Sequence, residues 1–156
     1  ITATGVAIGP LFEDTFLVKT SDNDGDLRLP VMAGLVRVRA NDTDLVLIED
    51  LPTHGKAAGI TGMVHGIVRG ELIEQGLSYA TVPPATLKKY ATGAGNADKS
   101  AMILAASKRG GVEFKDNNQC DAWWLWLMAM DYLGEPVFAL PKDQRASLSK
   151  ITLKAR

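Results

Sequence analysis

The sequence predicts a single α/β domain built on a mixed sheet, and three observations carry that expectation. Two short apolar runs joined through Gly9-Pro10 open the chain as an antiparallel hairpin. Strand and helix patterns then alternate, which argues for parallel strands with helices against them. No repeat or low-complexity linker divides the 156 residues, a length that suits one domain with a substantial core. Hydrophobic content of 46% with 22% charged residues is that of an ordinary globular protein.

Taken in order, residues 1–8 and 14–20 read as the hairpin strands. Ser21-Asp22-Asn23-Asp24-Gly25-Asp26 reads as a loop, whose spacing to Gly and to a closing Glu is wrong for calcium. Residues 29–41 fit a helix started by Pro30, with Val31, Met32, Leu35 and Val36 on one side, although 35–39 also alternates. The run Leu45-Val46-Leu47-Ile48-Glu49 reads as a strand buried on both faces. Residues 57–75 carry Ile60, Met63, Val64, Ile67, Val68 and Leu72 as a helical stripe. Gly62, Gly66 and Gly70 fall four apart on it. Each costs about 1 kcal/mol relative to Ala, so the helix is expected to approach another backbone, either the sheet of the same chain or a partner helix. Residues 77–82 form a strand ended by Pro83-Pro84, and a short helix runs through Lys88-Lys89-Tyr90. A helix from about 98 to 109 stops at Gly110-Gly111, and a long one from about 118 to 134 precedes Pro136.

Charge and cysteine usage narrow the classes. The net charge of -1 hides an acidic front and a basic tail: residues 142–156 hold Lys142, Arg145, Lys150, Lys154 and Arg156 against Asp143 alone. Such a tail reads first as solvated surface and second as a contact for a polyanion. The single cysteine, Cys120, excludes an internal disulfide, and its apolar neighbours mark it as a buried thiol rather than a nucleophile. No segment approaches the ~18 apolar residues of a membrane span, so no membrane role is expected. His54 and His65 lack partners at metal-ligand spacing, and Trp123, Trp124 and Trp126 read as core.

Two acids break apolar patterns. Glu49 ends an otherwise apolar strand, and Asp121 lies inside Cys120-Asp121-Ala122-Trp123-Trp124-Leu125-Trp126-Leu127. An ionised carboxylate in such a place is costly unless a cation or metal meets it. Two of them suggest one divalent-metal site. Taken singly, Glu49 also fits a salt-bridge partner at a strand end, and Asp121 a first-turn acid favoured by the helix dipole.

The segment Thr92-Gly93-Ala94-Gly95-Asn96-Ala97-Asp98-Lys99-Ser100 invites a phosphate-loop reading. The Walker pattern needs Gly immediately before Lys-Ser, where Asp98 stands, so a nucleotide hydrolase is not expected. A Gly loop entering a helix N-terminus beside Lys88, Lys89 and Lys99 would still suit backbone phosphates. The plain alternative is a loop with an Asn96 cap.

From Leu87 to Ser100, with its Lys88-Lys89, Thr92-Gly93-Ala94-Gly95 and Ala97-Asp98-Lys99-Ser100, the chain resembles the RuvC family of Holliday junction resolvases. That family carries there a Lys, a Thr/Val-Gly-x-Gly and an Ala-acid-Lys-Ser. Ile48-Glu49 resembles its second catalytic carboxylate, and Gln119-Cys120-Asp121-Ala122 its terminal Asp-Ala signature. The glycine-spaced helix falls where the family places its dimer-forming helix. The resemblance runs from the first residue to about Gly134; each motif alone is weak, and their order and spacing are strong.

There are two departures. The family's first metal ligand is an Asp on strand one, in a pattern like Asp-x-Ser-x-x-x-Thr-Gly, and this sequence opens at Ile1-Thr2-Ala3-Thr4-Gly5, just past that position. The domain is therefore expected to lack the start of its first strand, which puts activity in question. The family also has a ligand three residues before the terminal Asp, where Asn118 stands here; Asp116, five before Asp121, is the other candidate. Spacing of three places Asn118 and Asp121 on one helix face.

The resemblance implies an RNase H-like α/β fold and a structure-selective DNA endonuclease. Glu49, Asp121 and Asp116 would be catalytic, with Glu49, Asp121 and Asn118 on the metal. Lys88, Lys89, Gly93, Gly95 and Lys99 would meet the nucleic acid. The cofactor would be Mg²⁺, with Mn²⁺ substituting, because hard divalent ions prefer carboxylate oxygens and two of them can clamp the attacking and leaving oxygens of a phosphodiester. The partner would be branched DNA such as a four-way junction, cut by a homodimer through the 57–75 helix, in the cytoplasm of a bacterial or phage-infected cell. The alternatives are a related nuclease on RNA or flap DNA, and a catalytically inactive nucleic-acid-binding module.

Overall fold

The hairpin forms where the two opening runs place it. In the computed structural model, which describes residues 2–51 and 58–154, strand β1 (Thr2–Ala7) pairs antiparallel with β2 (Thr15–Thr20), Thr4 opposite Val18. Asp14 closes the turn: its carbonyl accepts from the Ile8 N–H at 3.0 Å and its carboxylate from the Leu11 N–H at 3.0 Å. The acidic loop expected after β2 is wound into a short 3-10 helix, Asp22–Leu27, capped by Ser21. Helix α1 (Arg28–Arg39) follows, which resolves the ambiguity of that segment in favour of the helix.

Strand β3 (Val46–Glu49) leads to helix α2 (Ala58–Glu74) and strand β4 (Tyr79–Val82), and β3 and β4 pair in parallel with Glu49 opposite Val82. Alternation splits β3 between two layers. Val46 and Ile48 join Val36 of α1 and Leu72 of α2, whereas Leu47 packs on the opposite cluster around Trp124 and Leu125. Both faces are therefore covered, as the apolar run requires. All four residues are nevertheless only half-buried. The reason is at the edge: among the described residues, β1–β2 and β3–β4 are separate two-stranded sheets, so β3 has one strand neighbour and an open side.

The remaining helices build the main core. Helix α3 (Pro84–Thr92) has Pro at its N-terminus, and α4 (Lys99–Gly110) is capped by Asp98, whose carboxylate accepts from the Ala101 N–H at 2.8 Å. The expected Asn96 cap is corrected: Asp98, which directly precedes the helix, takes that place. Helix α5 (Asn117–Tyr132) buries Trp123 and Trp124 completely, edge to face at 5.0 Å. Side chains of this size stabilise by about 1.5–3 kcal/mol each when buried, so α5 is the mast of the domain. The basic tail holds its cations at the surface, as its first reading has it, but the segment that carries them is docked. Helix α6 (Lys142–Arg145) and the 3-10 turn Ala146–Lys150 dock on α3 and bury Gln144, Ser147 and Ile151, while Lys142 and Lys150 stay exposed.

Candidate active site

Chain alternation aims Glu49 at the first turn of α5. Glu49 shares its side of β3 with Leu47, which packs on the α5 layer. Asp121 lies one turn into α5, and both carboxylates line one cavity of about 710 Å³ that also contains Asn118 and Asp50. Two acids 72 residues apart in sequence thus meet where the end of a parallel strand faces a helix N-terminus.

Their protonation records the crowding. Burial, then the Asp121 charge, pushes Glu49 up to about 7, with Lys88 pulling the other way. Asp121 is also raised, again mainly by burial; Lys88 and Lys99 oppose the shift and Asp116 adds to it. No hydrogen bond to either carboxylate is found among the described residues. The pair is an anionic site held in partial desolvation, with two lysines as its nearest compensation.

The predicted residues divide into those the fold gathers and those it uses otherwise. Glu49, Asp121 and Asn118 share the cavity, and Lys88 and Lys99 reach its field. Asp116 is the N-cap of α5: its Oδ1 accepts from the Asn118 N–H at 2.8 Å and the Gln119 N–H at 3.2 Å. It acts on Asp121 through charge and holds the turn that carries Asn118. Lys89 is exposed and one residue past Lys88, so it projects roughly 100° around the helix from it. Gly93 ends α3 in the left-handed region at φ 89°, and Gly95 is pressed against the Ala85 carbonyl, where an added Cβ would lie 3.1 Å from the oxygen. Gly93 is required by the turn itself, and a side chain at position 95 would crowd the Ala85 carbonyl. Gly62, Gly66 and Gly70 have nothing within 4 Å of a notional Cβ, which removes the sheet of the same chain as their neighbour.

Asp50 and His65 also line this end of the cavity, with Arg69 beside them. Asp50 follows Glu49 directly and approaches Arg69 Nη2 at 3.4 Å, and His65, one turn before Arg69 on α2, lines the same cavity. Burial and Arg69 lower the His65 pKa, against the pull of Asp50. The helical spacing of His65 and Arg69 was legible; the pairing of Arg69 with the residue after Glu49 was not. His54 lies outside the described residues. Cys120 is buried with its thiol pushed up to about 12 by burial and Asp121, which bears out an inert thiol.

A metal would find part of a ligand set here. Glu49 and Asp121 are the anionic oxygens a hard cation seeks and Asn118 offers a neutral one, while no group of three acidic, His or Cys side chains gathers for a metal among the described residues. The donors suit a divalent ion and would fill part of its coordination sphere.

Antiparallel hairpin, parallel pair and flanking helices in this order define a RuvC-like fold, of the RNase H-like class. Two solved structures show the likeness. A Thermus thermophilus RuvC structure superposes with a TM-score of 0.62 at 18% identity, covering 78% of each chain. T. thermophilus RuvC in complex with Holliday junction substrate gives 0.61 at 18% identity, covering 78% of this chain and 79% of that one. No family model and no curated protein sequence matches the chain.

Proposed function

We propose that this domain is a divalent-metal-dependent endonuclease that nicks branched DNA, four-way junctions above all. The observation that carries the reading is the Glu49–Asp121 pair: two carboxylates from distant segments, each raised in pKa mainly by burial, with no hydrogen bond found among the described residues. Structures pair or neutralise buried acids unless a ligand does so. The RuvC-like fold, and the Holliday junction bound to one of the similar structures, point the same way.

When bound, Mg²⁺ or Mn²⁺ would supply Lewis-acid stabilisation and lower the pKa of water. Glu49 and Asp121 would hold it with Asn118, and a further acid would come from outside the described residues. Lys88 and Lys99 would hold the phosphate backbone beside the carboxylates, Lys89 would contact it further along α3, and Gly93 and Gly95 would keep the turn between them low enough for a strand to pass. Phosphate contacts of this kind position DNA without reading its sequence.

A homodimer through α2 belongs to the same proposal. Gly59, Gly62, Gly66 and Gly70 lie along one open side of the helix, each with nothing within 4 Å of a notional Cβ. Sedimentation at micromolar concentration should give about twice 16.7 kDa; a strict monomer would remove paired nicking.

Cleavage assays on four-way junction, flap, duplex and RNA–DNA hybrid test the reading. Mg²⁺-dependent nicking of the junction should fall by about 10³-fold or more in Glu49→Gln and in Asp121→Asn, a loss of the size seen when one charge-stabilising group is removed from a transition state. DNA binding should persist. Full activity in Glu49→Gln sinks the proposal. Binding without cleavage by the unaltered chain favours the inactive module, which the capping role of Asp116 and the neutral Asn118 would suit.

A further inference from the structure

The segment past Gly134 lies beyond the stretch that resembles the resolvases, yet it docks beneath the glycine turn. Helix α6 is clasped to α5 by Arg145 on Asp131, and Ile151 is buried in the main core. Gln144, at 3% exposure, is thereby held between the two ends of the α3–α4 segment. Its Oε1 accepts from Nη2 of Arg109, in the last turn of α4, at 3.0 Å. Arginine carries donors only, so that bond settles which way the amide is turned. The Nε2 group is left on the side of Gly93, 3.9 Å from where a Cβ would stand.

Gly93 closes α3 in the left-handed region. At such a helix end the last carbonyls lack helical partners and the dipole is negative. An amide donor with an arginine behind it suits that end. Among the described residues Nε2 makes no hydrogen bond, and neither does the buried hydroxyl of Ser147, on the 3-10 turn that packs against α3. Burying donors costs free energy that apolar side chains would avoid, so packing alone does not account for this polar face. Past Gly93 the turn is held by its own bonds. The Gly93 N–H donates to Lys89 O at 2.9 Å, the Ala94 N–H to Thr92 Oγ1 at 3.1 Å and the Ala97 N–H to Ala94 O at 3.1 Å. Lys88 stands on α3 before this turn and Lys99 on α4 after it.

The geometry points to Gln144 as a positioning residue for the glycine turn. It ties the carbonyl end of α3 to Arg109 and so fixes the spacing of Lys88 and Lys99. That the turn holds a DNA phosphate rests on the nuclease reading; the brace itself does not.

Two variants of the full chain separate the amide from the bulk of the side chain. Gln144→Glu keeps an oxygen for Arg109 and exchanges the donor for an acceptor that the α3 end repels. Gln144→Met keeps the length and removes both polar groups. In each, hydrogen exchange at the Gly93, Ala94 and Ala97 amides should quicken about three- to tenfold, the range for one hydrogen bond. The Trp124 and Met128 amides, in the middle of α5, should keep their rates. Gln144→Met should also bind four-way junction DNA several-fold more weakly in the absence of divalent ions. The slope of log affinity against log salt should not move, because no cation is lost. Turn amides unmoved in Gln144→Glu, or α5 amides quickened equally, overturn the brace. Quickened turn amides with unaltered junction affinity in Gln144→Met overturn the positioning role. An unaltered chain that binds no junction sinks the nuclease reading instead, and the exchange rates then decide the brace by themselves.

Discussion

Helix α5 carries a buried acid near each end, and the two are treated in opposite ways. Asp131, at 3% exposure, is met twice by Arg145, at 3.0 Å from Nε and 2.7 Å from Nη2, and its second oxygen takes the Tyr90 hydroxyl at 3.3 Å. Burial, then the Asp131 charge and hydrogen bond, push the Tyr90 hydroxyl far up, so it stays a donor. Asp121, near the other end, meets Glu49 in place of an arginine. Its nearest cations act at the range of charge, not of a hydrogen bond. One acid is spent on architecture, tying α5 to α3 and α6. The other is kept available, and the fold bears the repulsion.

The comparison can be broken most forcefully at the satisfied end. Asp131→Ala should destabilise by about 2 kcal/mol or more, the range for a hydrogen bond to a charged group, and lower Tm by roughly 4–8 °C for a domain of this size. Calorimetry decides this, and an unchanged Tm would mean that the α5–α6 clasp is ornamental. At the unsatisfied end the sign reverses. Glu49→Gln removes repulsion and desolvation of charge, so the metal-free protein should gain on the order of 1 kcal/mol at neutral pH, read as a Tm higher by a few degrees.

A pH titration sharpens the same contrast. Glu49 has its pKa raised in the folded state to about 7, from 4.5. The folded protein therefore binds more protons than the unfolded one between those values, and stability falls as pH rises through that window. Denaturant melts at pH 5 and pH 8 should show the loss, Glu49→Gln should flatten it, and millimolar Mg²⁺ should reverse part of it at pH 8. The smallest effect concerns the lysines. Lys88→Ala and Lys99→Ala should each reduce the slope of log affinity against log salt for junction DNA by about 0.9, and Lys89→Ala should do the same without altering the carboxylates' titration. An unchanged slope in all three would move the DNA surface to the exposed Lys142 and Lys150.

What the sequence disclosed follows from which signals are local. Glu49 and Asp121 stood out because each interrupts an apolar pattern, and the strand and helix around them are short-range facts. Hairpin, parallel pair and helix order were legible for the same reason. Asp116 was not separable from a ligand, because a carboxylate flanking a helix start serves either purpose and only the Asn118 and Gln119 amides decide it. The docking of the basic tail was hidden, since Arg145 reads as surface until Asp131, 14 residues earlier, is found beneath it. The open edge of β3 was hidden as well: an apolar run reports that two faces are covered and says nothing about its edges.

Gly5 gives the hairpin a hold over chemistry it does not itself contain. A Cβ there would collide with the Asn118 carbonyl group, so β1 touches the opening turn of α5 through bare backbone. The spacing between β1 and the helix end bearing Asp121 is consequently set by the smallest side chain available. Gly5→Ala would act as a shim, driving that helix end outward and separating Asp121 from Glu49 without removing any polar group. A lineage or an engineer could detune the site from this position, and any hairpin grafted in from a related domain would have to bring its glycine with it.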